Sequence, residues 1–353
     1  MKILVTGNMG YIGPSVVDRL RYSYPDAELI GLDLGFFAHC LTGATRLPET
    51  RLSRQIFGDV RYVTAETLSE MAGSIYAVIH LAAISNDPMG NTFEQVTHNI
   101  NCQASISLAQ LAKEIGVKRF IFASSCSVYG FAEGRPRQEK HDVTPLTAYA
   151  RSKIEAEKGL ADLADDSFVV TCLRFGTACG MSKRLRLDLV VNDLVASAVI
   201  SNEIVILSDG TPWRPLIHIN DMARAMDWGV SRDAGNGGPF LALNTGSDEA
   251  NYRVKDIAQG IAKIIPGVQI SINENAAQDR RSYQVDFSKF RSLAPNYQPQ
   301  VDLSEAIRDL KDGLELMEFS HADFRNSDFM RLKVLTGLRE RNQLDENLEW
   351  VRR

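Results

Sequence analysis

The apolar positions of the chain fall into short unbroken runs separated by longer stretches of helical period. Lys2–Thr6, Glu28–Leu32, Gln55–Val60, Ala77–Ala83, Phe120–Ala123, Phe168–Leu173 and Phe240–Asn244 read as strands. Ser15–Tyr22, Ala65–Met71, Asn91–Gly116, a segment opening at Tyr149, and Asp221–Val230 read as helices. The longest of these carries Ile100, Ala104, Leu108, Leu111 and Ile115 at helical spacing and stops at Gly116. Strands alternating with helices predict an α/β fold of Rossmann type, a doubly wound parallel sheet with its ligand crevice at the carboxyl ends of the strands. Beyond Gly180 the rhythm breaks. A basic start (Lys183, Arg184, Arg186) leads into a helix ending near Asn202, then come a turn at Ser208–Arg214, a strand at Val268–Ile272 and a closing helix. The expected organisation is a first domain of residues 1–178 and 214–248, a smaller α/β lobe of residues 179–213 and 249–319, and a charged, partly helical tail of residues 320–353.

The first strand ends directly in Gly7-Asn8-Met9-Gly10-Tyr11-Ile12-Gly13. Gly7 permits a tight turn, Gly10 lets backbone approach a pyrophosphate, and Gly13 lets the new helix pack closely. The helix N-terminus offers free N–H groups and a positive dipole end to phosphates. Asp33 ends the second strand 33 − 13 = 20 residues past the last glycine. A carboxylate there binds an adenosine ribose diol and opposes a 2′-phosphate, so NAD is expected rather than NADP. Leu34–Ser53 then reads as a long loop at the adenosine end, and the small Ala82-Ala83 as room for ribose or nicotinamide.

Composition narrows the partners. The chain has 353 residues, 44% hydrophobic and 24% charged, with a net charge of −5, which argues against nucleic acid. No stretch reaches membrane-spanning length, and Met1 leads straight into the first strand, so a cytoplasmic protein without signal peptide or membrane association is expected. Cys40, Cys102, Cys126, Cys172 and Cys179 show no CxxC spacing and are expected as reduced, buried thiols; no metal site is expected.

Tyr149 and Lys153 stand four apart at a helix start, on one face. An ammonium and a positively charged nicotinamide favour the phenolate, making Tyr149 a base, while Lys153 can also hold the nicotinamide ribose. Ser125, at the end of a neighbouring strand, can bond the same substrate hydroxyl. His80, on an apolar strand, reads as a hydrogen-bonded core histidine.

The order Gly7-x-x-Gly10-x-x-Gly13, Asp33, Asp59, His80-Leu81-Ala82-Ala83, Ser125 and Tyr149-x-x-x-Lys153 resembles the extended short-chain dehydrogenase/reductase family, and within it the nucleotide-sugar epimerases and dehydratases of the UDP-galactose 4-epimerase type. The resemblance runs from residue 1 to about 315. It implies a hydride taken from a sugar carbon by NAD+, Tyr149 as base and a 4-keto intermediate. It also implies a cofactor site of Gly7, Met9, Gly10, Tyr11, Ile12, Gly13, Asp33, Asp59, Val60, Leu81, Ala82, Ala83, Asn99, Tyr149 and Lys153. Asp59 would contact adenine, and Asn99 would sit beside the serine strand. In the lobe it implies a GDP- or UDP-linked sugar bound by Ser127, Thr177, Arg186, Asn192, Arg214 and Arg281, and a homodimer through helices at about 92–115 and 149–163. Arginine suits the diphosphate because its planar fork binds two oxygens at once.

Two positions depart from the pattern. The 4,6-dehydratases carry an acid directly after the catalytic serine or threonine; Cys126 and Ser127 stand here, which disfavours dehydration. Thr177 stands where galactose-type epimerases place an asparagine. The stretch Ser182–Asp193, with Asp279-Arg280-Arg281-Ser282-Tyr283, is similar to a bacterial subgroup that includes a GDP-heptose 4-dehydrogenase. The expected activity is a nucleotide-sugar epimerase. The rivals are a 4-dehydrogenase releasing the keto sugar and a cofactor-binding regulator without catalysis.

Overall fold

The computed structural model describes residues 1–72, 74–132, 134–276 and 282–351. In chain order its strands are β1 (Lys2–Thr6), β2 (Glu28–Asp33), β3 (Arg54–Phe57), β4 (Ala77–His80), β5 (Arg119–Ser125), β6 (Val169–Phe175), β7 (Thr177–Cys179), β8 (Glu203–Ile206), β9 (Trp213–His218), β10 (Phe240–Thr245), β11 (Asn251–Arg253) and β12 (Gln269–Ile272). Seven form the central sheet in the order β3-β2-β1-β4-β5-β6-β10, every neighbouring pair parallel. The chain winds outward from β1 to β3 and then returns to lay β4 on the other side of β1. This reversal opens a crevice beyond the carboxyl ends of β1 and β4, where a doubly wound sheet binds its ligand.

Both faces of the sheet are covered. The helix Gly13–Ser23 brings Val16, Val17 and Leu20 against Met222 and Met226 of the helix Ile219–Ser231 on one side. On the other, Leu108 and Ala112 pack with Ala156 and Leu160 of the helix Ala148–Ala161. The expected long helix forms as Asp87–Thr92, Glu94–His98, a π-helical segment Asn99–Ala104 and Ser105–Glu114, and the chain leaves it at Gly116 with φ +84°. The strand expected over Gln55–Val60 stops at Phe57, because Asp59 accepts the Arg61 N–H and caps a 3₁₀ turn. Likewise β4 stops at His80, which leaves Leu81, Ala82 and Ala83 in the crevice.

The second lobe is built from the three-stranded sheet β7-β9-β11 and the parallel pair β8-β12. The helices Val190–Ser201, Val254–Ile264 and Leu303–Leu316 close a separate core around Val195, Ile257, Ile261 and Leu310. Phe290 and Ala294 do not join that core; they pack on the central sheet, so the segment after Tyr283 returns to the first domain. The tail also crosses between the two. Phe324 is buried in the lobe, whereas Val334, Leu335 and Leu338 of the helix Arg331–Glu340, with Leu344 and Leu348, enter the core of the first domain.

All five cysteines are buried without disulfides. Among the described residues no helix is long and apolar enough to cross a membrane.

Candidate active site

A cavity of about 600 Å³ runs along the carboxyl ends of the central strands and under the second lobe. Its first part fits a dinucleotide. Gly7 has φ +71°, and a Cβ there would lie 2.5 Å from the Ala82 nitrogen across the switch point. A Cβ on Gly13 would lie 2.1 Å from the Asn8 carbonyl oxygen, so its close approach is to the turn itself rather than to the strand. Gly10 is less confined: a methyl there would lie 3.2 Å from the Gly7 oxygen, and the residue faces the cavity with Tyr11 and Ile12. Asp33 is fixed from both sides: Met9 N–H donates to one carboxylate oxygen (2.9 Å) and Gly35 N–H to the other (2.7 Å). Burial pushes its carboxyl up while these two donors pull it down. Met9 thus positions the acid through its backbone and is not in the cavity wall. Asp59 and Val60 do line the cavity, the carboxylate gripped by the Arg61 guanidinium.

Ser125, Tyr149 and Lys153 converge in the next part. Thr147 caps the helix that carries two of them, its Oγ1 accepting the Ala150 N–H and donating to Asp87. The Ser125 hydroxyl accepts the Ser127 N–H at 3.1 Å, ending the strand in a 3₁₀ turn. Burial pushes the Tyr149 phenol up to about 12, with a hydrogen bond from Ser125 and the charge of Arg186 opposing it. Burial also pushes Lys153 down to about 7. Its Nζ donates to the Ala123 carbonyl at 2.8 Å and lies 5.8 Å from the Tyr149 ring centre. The activation of the phenol expected from Lys153 is therefore not supplied by these side chains alone; burial outweighs it. A positively charged nicotinamide held beside Tyr149 would add the missing field.

The family-model comparison matches residues 3–242 to the NAD dependent epimerase/dehydratase family. The chain belongs to that family, and NAD is its cofactor. It is 29% identical over 322 residues to an uncharacterised UDP-glucose epimerase of Bacillus subtilis (strain 168), covering 87% of this chain and 96% of that one. It is 27% identical over 333 residues to UDP-glucuronic acid decarboxylase 6 of Arabidopsis thaliana, covering 92% and 89%. Among solved structures, MoeE5 in complex with UDP-glucuronic acid and NAD superposes with a TM-score of 0.73 at 27% identity, covering 89% of this chain and 99% of that one.

Within this epimerase/dehydratase fold the other expected residues divide. Ser127, Thr177, Arg186 and Arg214 line the cavity, and the buried Ser127 hydroxyl has no hydrogen-bond partner among the described residues. Asn192 does not reach it. Its amide accepts from Gly180 N–H and donates to Tyr11 Oη and the Arg186 carbonyl, which commits it to holding the lobe against the glycine turn. Arg281 lies outside the described residues. Asn99 is on the outer helix face, accepting from Gln95. Asn101, two residues on, is fully buried: it accepts the Ile84 N–H (2.8 Å), donates to the Ile84 carbonyl (2.9 Å) and donates to Ser152 Oγ (3.1 Å), the residue before Lys153. His80 is a core histidine, bonded to Thr6 and Ser105, with burial holding it at about 3 and hence neutral. Cys126 points away from the cavity to the Arg174 carbonyl, and burial drives its thiol up.

Two residues had no signal in the sequence. Gly90 lets the helix Asp87–Thr92 lie on Tyr149, since a Cβ there would be 3.0 Å from the Tyr149 Cβ. Arg331, from the tail, is buried in the cavity wall and donates to the carbonyls of Arg184 and Leu185.

Proposed function

We propose that the protein is an NAD-dependent nucleotide-sugar epimerase acting through a 4-keto sugar. The observation that supports this best is a single cavity shared by the dinucleotide cradle and the Ser125–Tyr149–Lys153 group, with the thiol after Ser125 turned away from it. Tyr149 would take the proton of the sugar 4-hydroxyl, and Ser125 would hold the same oxygen as it becomes a carbonyl. NAD, when bound, would supply reversible hydride chemistry at C4, and the keto sugar would have to turn in the pocket to present its other face. Lys153 would hold the nicotinamide ribose. Arg214 and Ser127 would hold the diphosphate and sugar of a GDP- or UDP-linked substrate, with Arg281 a further candidate. A dehydratase needs an acid at the Cys126 position, and a buried thiol does not serve.

The test is to incubate the protein with a panel of UDP- and GDP-sugars and follow NADH absorbance and the sugar NMR spectrum together. A new stereoisomer without net NADH is expected, and Tyr149→Phe should lower its rate by about 10²–10⁴ while sugar-nucleotide binding persists. Stoichiometric NADH with a keto sugar would replace the epimerase with a 4-dehydrogenase using the same residues. Full turnover in Tyr149→Phe would overturn the mechanism.

A further inference from the structure

At the sugar end of the cavity, Arg186 is neutralised by an acid two residues away. Its Nε donates to Asp188 Oδ1 at 2.5 Å and its Nη2 to Oδ2 at 2.9 Å, while Nη1 goes to Ser85 Oγ at 2.8 Å. Asn86 Nδ2 adds a further bond to Asp188 Oδ2 at 2.8 Å. The side chains of the pair are 5% and 10% exposed, and all four residues line the cavity. The Arg186 charge acts on the Tyr149 phenol, as does that of Asp87, a second carboxylate in the same wall.

The chemistry of a hexose ties this cluster to one position of the substrate. If Tyr149 takes the 4-hydroxyl proton, C4 lies against the phenol, and C5 with its C6 substituent is one of the two ring carbons bonded to it. Groups surrounding Tyr149 are therefore within reach of C6 as well as of the C3 hydroxyl. A uronic acid carries a carboxylate there and needs a cation whose charge is not already offset. Arg186 has three of its five N–H donors engaged and its charge offset by Asp188, and an incoming carboxylate would meet Asp188 and Asp87 at low dielectric. A neutral hydroxymethyl or longer polyol substituent meets no such repulsion and can bond to the same carboxylates.

We propose that Asp188 sets the sugar class: by neutralising Arg186 it makes the pocket take a neutral glycosyl group in preference to a uronic acid. This rests on the nucleotide-sugar reading above and separates the protein from those relatives whose names specify UDP-glucuronic acid.

The experiment is calorimetric titration of the NAD-loaded protein with UDP, UDP-glucose and UDP-glucuronate, and with GDP, GDP-mannose and GDP-mannuronate. Like-charge repulsion leads to neutral sugar nucleotides binding at least about tenfold tighter than their uronates. Asp188→Asn should narrow that ratio by about tenfold and leave the free nucleoside diphosphate within about twofold, and Asp188→Glu should restore the ratio. Equal affinity for the two sugar classes in the wild type overturns the proposal, whatever the variants do. A uniform loss for all three ligands of a set in Asp188→Asn also overturns it, by reducing Asp188 to a structural role. Failure of both nucleoside diphosphates and all their sugars to bind would instead remove the nucleotide-sugar reading, and this inference with it.

Discussion

Lys153 Nζ donates to the carbonyl oxygen of Ala123, so the ammonium is tied to the strand that delivers Ser125 two residues later. The bond fixes the lysine's position but does not compensate its burial, which holds it near 7. A lysine depressed in the folded state binds fewer protons there than in the unfolded chain between about pH 7 and 10.5. Stability should therefore rise with pH across that window. Compared with Lys153→Met, the dinucleotide-free wild type should gain about 2 kcal/mol between pH 7 and 9, measured by urea unfolding. A flat difference would show that Lys153 is charged in the fold at neutral pH.

The two asparagines of the π-helical segment predict opposite results. Asn101→Ala leaves both polar groups of the Ile84 backbone buried without their partner, at a cost of about 1–3 kcal/mol, and frees the loop that walls the cavity. Thermal unfolding should show that loss, with kcat reduced more than KM. Asn99→Ala removes one exposed bond to Gln95 and should change stability by less than about 0.5 kcal/mol.

Gly13 and Gly10 are also separable. In Gly13→Ala the new methyl collides with the backbone of Asn8, and overpacking of this kind costs roughly 1–3 kcal/mol, visible as a lower Tm even without cofactor. Gly10→Ala meets the Gly7 oxygen at a tolerable distance. It should keep its stability within about 1 kcal/mol of wild type and lose NAD affinity, because the methyl stands where a phosphate approaches.

Trp350 lies over the adenosine end. Its Nε1 donates to the Leu34 carbonyl at 2.8 Å and its ring centre is 5.8 Å from that of Phe36, a cavity residue. Arg61, which grips Asp59, donates to the carbonyls of Asn347 and Leu348. Trp350→Ala should speed NAD release by about tenfold, read by stopped-flow displacement, with a stability change below about 1.5 kcal/mol because the ring is partly exposed. Unchanged release would confine the tail to a packing role.

The central sheet was legible because its strands are buried on both faces and read as continuous apolar runs. The glycine turn and Asp33 were legible because each answers a local backbone or charge requirement. Asn101 was not. A regular helix would place it at the margin of the stripe begun by Ile100, but the wider π turn buries Ile100, Asn101, Cys102, Ala104 and Ser105 together and admits two polar residues that the period excludes. Asn192 was expected at the substrate through the family resemblance, which does not show that its bonds are already spent on Tyr11 and Gly180. The pairing of Arg186 with Asp188 could be suspected from their separation, but not their joint burial. The tail hid its contacts behind charge: Arg331 is among the most deeply buried side chains, against the general habit of arginine.

That tail has a consequence for the order in which the molecule becomes competent. The turn at Gly7–Gly13 and the acid at Asp33 are made long before the tail, yet the wall beside them is finished by Arg331, with Trp350 laid on Phe36 behind it. A nascent chain can assemble the parallel sheet long before it can seal the adenosine end, so lasting capture of the dinucleotide waits for the segment that carries Arg331 and Trp350. A bulky fusion placed after Trp350 would be felt at the cofactor, although by sequence it lies far from the fingerprint.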